Sequence, residues 1–100
     1  MNQDIYTPLQ IQMLLQPVFK DYKVRKAILF GSYAKGYAGK QSDIDILVDS
    51  GLKGLAFFCL LEDVVTTLGK EVDLLDVSQL KYNSQVGEEI QKSGVVIYEQ

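Results

Sequence analysis

Histidine and tryptophan are both missing from this chain, and cysteine occurs once. Without histidine, Ser-His and Cys-His nucleophilic catalysis, a histidine general base and His-ligated zinc are all excluded. The single thiol, Cys59, can neither close an internal disulfide nor build a cysteine metal cluster. Its place in an apolar helical run predicts a buried thiol rather than a nucleophile. Long hydrophobic runs are lacking too: the longest, Leu55 to Leu61, falls far short of the roughly 20 residues that cross a bilayer. The N-terminus has no basic segment followed by an apolar one, so no signal peptide is expected and a cytoplasmic location is the default. Positive charge is also short. A net charge of -3 argues against a broad electrostatic hold on nucleic acid. What remains for chemistry is carboxylates, lysines, hydroxyls, backbone amides and bound metal.

One hundred residues, 47% of them apolar, suit a single domain over 1–100 with one core. Thr7-Pro8 marks a helix start, Thr as N-cap and Pro at the first helical position, and the helix runs to about Asp21. Pro17 is a point where it could bend. Val24 to Phe30 reads as a strand that stops at Gly31, and Asp43 to Asp49 as a second one. The apolar centre of that second strand (Ile44, Ile46, Leu47, Val48) predicts cover on both faces. Leu52 to Leu68 is a helix with Gly69 as its C-cap. It is apolar over more than one stripe, which means either a deep core position or a face offered to another chain. Glu71 to Val77 gives a third strand, Ser78 a short capped turn, Ser84 to Lys92 a helix ended by Gly94, and Val95 to Tyr98 a closing strand. The sum is an α/β fold: a small mixed β-sheet with helices packed on it.

The stretch from Ile28 to Val48, ILFGSYAKGYAGKQSDIDILV, carries the chemistry. Residues two apart on a strand share a face, so Asp43 and Asp45 point together, about 6–7 Å apart. Two such carboxylates repel each other unless a cation lies between them, and hard oxygen ligands suit Mg²⁺. Alone, Asp-x-Asp at a strand start is commonly an accident of a solvated edge. It stands beside a strand-to-helix turn, however, where Gly31 lets an anion approach the backbone and the Ser32 hydroxyl adds a donor. Lys35 and Lys40 flank that turn. Neither G-x-x-x-x-G-K-[ST] nor G-x-G-x-x-G is present, so this is a different phosphate device. A transfer that uses two metal ions needs a further ligand and a group to take the acceptor's proton. Asp73, mid-strand in VDLL, could complete a triad with Asp43 and Asp45 from a neighbouring strand about 4.8 Å away. Glu71 shares its parity but sits nearer the strand start. Asp76 has the opposite parity and is expected to take no part.

The motifs G-S-Y-A-K-G at 31–36, S-D-I-D at 42–45, V-D-L at 72–74 and the closing I-x-x-x-G-x-x-x-Y at Ile90, Gly94 and Tyr98 resemble the nucleotidyltransferase superfamily of the DNA polymerase β type. In length the chain is similar to its minimal members, the MNT antitoxins that pair with HEPN toxins. The resemblance implies the polymerase β-like nucleotidyltransferase fold. It implies that Gly31, Ser32, Lys35 and Ser42 hold the nucleotide, that ATP is the substrate, and that Asp43, Asp45 and Asp73 hold two Mg²⁺ ions and carry the catalysis. It implies transfer of AMP from ATP to a hydroxyl, of the tyrosine kind, on a cognate HEPN toxin, which silences the toxin. Lys35 stands where arginine is frequent in this motif, keeping the charge and losing the bidentate fork. Two alternatives remain open: an antitoxin that works by binding alone, and a transferase for a small molecule. The chain has little room for a lobe that would hold a nucleic-acid primer or a small acceptor. The apolar helix and Tyr6, Tyr22, Tyr37 and Tyr82 are candidates for the surface facing a protein partner.

Overall fold

The computed structural model describes residues 5–80 and 85–100. Its first helix, α1 (Pro8–Asp21), begins as its cap predicts. The Thr7 side chain accepts from the Gln10 amide, and the Gln10 side chain accepts from the Thr7 amide. Pro17 lies inside the helix without ending it. Ile11, Leu15 and Phe19, spaced four apart, form the fully buried stripe. Leu9, Met13 and Leu14, by contrast, stay exposed.

Strand β1 (Lys26–Phe30) leads directly into α2 (Gly31–Lys35), one tight turn of helix, and then β2 (Ile44–Asp49). Helix α3 (Gly54–Leu68) follows, closed by Gly69 in the left-handed conformation. Strand β3 (Val72–Asp76) ends in a 3-10 turn, Val77–Gln79, which Asp76 caps, rather than Ser78 as the sequence suggested. Helix α4 (Gln85–Ser93) and β4 (Val95–Glu99) complete the chain.

The sheet runs β3-β2-β1-β4, with β1 antiparallel to both β2 and β4 and β2 parallel to β3. It is therefore a mixed sheet, as the alternation of elements implied. One face carries the core: Ala27, Leu29, Ile44, Ile46, Val48 and Leu74 pack there with the α1 stripe and with Leu60, Val64 and Leu68 of α3. On the other face Ile28 and Leu47 are paired across β1 and β2, and there α2 and α4 lie. Gly94 admits that contact, since a β-carbon on it would meet both the Ile90 carbonyl and the Ile28 side chain. Tyr98, paired with Ala27, lies on the core face and packs its ring 5.5 Å from that of Phe19. β2 is thus covered on both faces.

One sequence expectation fails at α3. Cys59 is exposed, not buried, because Leu60, Val64 and Leu68 take the inward stripe and leave Cys59 on the outer side. Leu55 and Phe58 are exposed beside it, so the helix serves the core and also leaves an apolar outer face. Among the described tyrosines named as partner candidates, Tyr6 donates to the Leu68 carbonyl and Tyr22 to Asp63, which ties both to α3. Tyr37 is exposed. Tyr82 lies outside the described residues, as does Ser84.

Candidate active site

The site forms at the end of the sheet where β1 finishes and β2 and β3 begin. In the β1–β2 ladder Phe30 pairs with Asp45, and in the β2–β3 ladder Asp45 pairs with Asp73. Register alone therefore sets Phe30, Asp45 and Asp73 side by side across three strands, and Gly31 follows Phe30 as the first residue of α2. A parallel pair in register presents its side chains on one face, so Asp45 and Asp73 share the face that carries α2 and α4. Asp43 precedes β2 by one residue, exposed, with the same parity as Asp45.

Gly31 is required twice. Its φ of +73° lies in the left-handed region that side-chain-bearing residues avoid. A β-carbon there would also collide with the Asp45 carboxylate. The N-terminus of α2 has no side-chain cap, which keeps its leading amides open to an outside acceptor. The glycine turn and the first acid of β2 are thus one unit.

Electrostatics identify Asp45 as the centre of the cluster. Its carboxyl is pushed up to about 6, first by desolvation, then by the negative charges of Asp73, Asp43 and Glu89. Like charges coupled in this way at Asp45 are an unfavourable arrangement that a bound cation relieves. Asp43, Asp45 and Asp73 supply the hard oxygen donors that Mg²⁺ prefers, and such an ion takes one or two carboxylates together with substrate phosphates. Among the described residues no three acidic side chains converge as a ready-made cage. The donors fit a cation that arrives with its own phosphate ligands better than one held by protein alone.

Lys35 ends α2, and its Nζ lies 3.1 Å from Glu89 Oε1 on α4. That hydrogen bond raises the lysine's affinity for its proton, with only a partial counter-effect from desolvation. The Lys35 ammonium also sits 6.0 Å from the centre of the Tyr37 ring. Ser42 is placed in the turn before β2, where its Oγ accepts from the Gly39 amide at 2.9 Å. Its hydroxyl proton can still be donated. A recess of about 500 Å³ opens beside Lys35, floored by α4 residues that include Glu89 and Lys92.

Glu89 was not legible as a site residue. It stands far from the glycine turn in sequence, and only the packing of α4 on α2 brings it to Lys35. Asp76 is absent from the site, as its parity predicted, but it is not idle. It is buried at the opposite end of the sheet, where it accepts from the Ser50 amide and hydroxyl and from the Ser78 amide. Glu71 is exposed, and its carbonyl accepts from the Ile44 amide just before β3.

Comparison with known proteins agrees with this fold. Residues 14–100 match the family described as "Polymerase beta, Nucleotidyltransferase". The protein adenylyltransferase MntA of Thermococcus cleftensis is 44% identical over 62 residues, spanning 60% of this chain and 63% of that protein. A toxin–antitoxin crystal structure with AMP-PNP superposes with a TM-score of 0.75 at 25% identity, over 89% of this chain and 73% of that one. The fold is shared as well with an MNT antitoxin in complex with a tri-AMPylated HEPN toxin of Shewanella oneidensis. There the TM-score is 0.70 at 21% identity, over 94% of this chain and 74% of the other.

Proposed function

Because this chain belongs to the polymerase beta nucleotidyltransferase family, we propose that it is an antitoxin that transfers AMP from ATP to a hydroxyl, of the tyrosine kind, on a cognate HEPN-type toxin. The observation that carries the reading is the register that sets Asp45 against Asp73 and the Asp45 carboxylate against Gly31. A phosphate turn and a set of charge-coupled acids in contact are what in-line attack on a phosphorus atom needs.

Each residue has a distinct task. The open amides of α2 and the Ser32 hydroxyl bind the phosphates, with Lys35 and Ser42 at the margins of the same turn. Asp43 and Asp45 would hold Mg²⁺, with Asp73 completing the shell of a second ion. Bound there, the metal would supply charge neutralisation for the phosphates and a lower barrier to loss of the acceptor proton. The acceptor hydroxyl forms the new P–O bond at the α-phosphorus as the bond to the β-phosphate oxygen breaks, and pyrophosphate departs. Asp73, exposed at the start of β3, would take the acceptor proton.

The neighbours named as toxin–antitoxin complexes support a protein acceptor. So does the exposed apolar face of α3 with Leu55 and Phe58, which suits a stable complex. No helix among the described residues is long and apolar enough to cross a membrane. A cytoplasmic site of action follows from the use of ATP. The test is the intact mass of the co-expressed toxin after incubation with ATP and Mg²⁺. A gain in whole AMP units that vanishes with Asp43→Ala supports the reading, whereas toxin inhibition with no mass gain replaces it with inhibition by binding alone.

A further inference from the structure

Lys35 is the cation that a phosphate turn would direct at a nucleotide, yet helix α4 has already engaged it. Its Nζ pairs with Glu89 Oε1 at 3.1 Å, both side chains being about one-third exposed. The pairing is built in by packing: α2 and α4 lie together on the same sheet face, and Gly94 lets the end of α4 settle against Ile28. Glu89 also contributes to the negative field at Asp45, together with Asp73 and Asp43. The acids therefore outnumber the ammonium, and a free triphosphate entering this site would add like charge to like charge.

We propose that Glu89 is a positioning residue that restricts the site to metal-bound nucleotide, by holding and neutralising Lys35 until a divalent cation enters with the phosphates. This rests on the nucleotidyltransferase reading above and adds a selectivity device to it. When the cation arrives, it offsets the aspartates, and the phosphate oxygens can compete with Glu89 for Lys35. Without the cation, Lys35 has no reason to leave a partner already in contact. Removing the Glu89 charge acts twice in the same direction: it frees Lys35 for phosphate, and it lowers the negative potential that repels the ligand. A residue that merely supported the fold would do the reverse, since its loss would loosen α4 and weaken binding under every condition.

The probe is AMP-PNP, titrated calorimetrically into the purified chain in EDTA and again in Mg²⁺. Glu89→Gln is expected to bind metal-free AMP-PNP more tightly than wild type, by on the order of fivefold, the scale of a partly exposed ion pair. Glu89→Asp, which keeps the charge, should stay near wild type. The gain should shrink when Lys35→Gln is already present, because the two side chains act as one unit. Metal-free affinity that is unchanged or weaker in Glu89→Gln, with the melting temperature of wild type, overturns the proposal. Weaker binding in both buffers with a lowered melting temperature overturns it as well, in favour of a structural role. Failure of the wild-type chain to bind AMP-PNP in Mg²⁺ would instead remove the nucleotidyltransferase reading, and this proposal with it.

Discussion

The carboxylate of Asp45 occupies the space that a β-carbon on Gly31 would need. That contact joins the phosphate turn to the acid cluster and makes the two a single mechanical unit. Gly31→Ala is therefore expected to separate stability from function. The left-handed backbone would cost about 1–2 kcal/mol, roughly 4–8 °C in melting temperature per kcal/mol for a domain of this size. The Asp45 side chain can swing aside, so the fold survives, but it swings out of the position its proposed role needs. Thermal melting together with AMP transfer to the toxin checks this: a modest loss of stability with near-complete loss of transfer is the expected pair.

Asp45 gives the metal-free chain an unusual pH dependence. Its folded carboxyl is pushed up to about 6, above the unfolded value of 3.8. The folded state thus binds more protons between those two pH values, and stability from this group is present below about 4 and lost as pH rises through about 6. Asp45→Asn should be more stable than wild type at pH 7, by on the order of 1 kcal/mol once solvent screening is allowed for. At pH 4 the two should melt alike. Denaturant unfolding in EDTA at both pH values is the measurement.

Asp76 has the opposite sign. Burial works to raise its carboxyl, but hydrogen bonds from Ser50 and Ser78 outweigh that and hold it below the ordinary carboxylate value. Its contribution is therefore present above the unfolded value and lost as pH falls toward acid. Asp76→Ala leaves the Ser50 and Ser78 amides without this acceptor, at a cost of roughly 2–3 kcal/mol. Because Asp76 sits at the far end of the sheet, affinity for Mg²⁺ and AMP-PNP should not change, which a calorimetric titration of the folded variant would show.

The outer face of α3 predicts where the partner binds. Phe58→Glu places a charge on an exposed apolar site, so the isolated chain should melt within about 0.5 kcal/mol of wild type. If the toxin seats on this face, its complex should weaken by 10-fold or more, on the order of the 1–2 kcal/mol a central interface side chain contributes. Pull-down or calorimetry with the toxin decides this, and unchanged affinity would move the interface elsewhere.

Much of this was legible in the sequence because the signals are local. Thr7-Pro8 fixed the start of α1, Gly69 the end of α3, and parity set Asp43 and Asp45 on the same side of the chain. Strand order was not legible, because neither the antiparallel β1–β2 pairing nor the parallel β2–β3 pairing is written in any one segment. The fate of Cys59 was misread because a nearly uniform apolar helix does not say which of its stripes faces inward. Glu89 escaped for a related reason. Its partner, Lys35, is reached only through the packing of α4 on α2, and a glutamate on a polar helix carries no mark of that.

The central claim is that the acids beside Gly31 transfer a nucleotidyl group and not a terminal phosphate. Parallel reactions with the toxin, Mg²⁺ and ATP labelled either at the α- or at the γ-phosphate test it most directly. The account predicts that α-label becomes bound to the toxin, that γ-label leaves as pyrophosphate, and that Asp45→Asn abolishes both. Label arriving from the γ-phosphate, or toxin silenced with neither label bound, would contradict it.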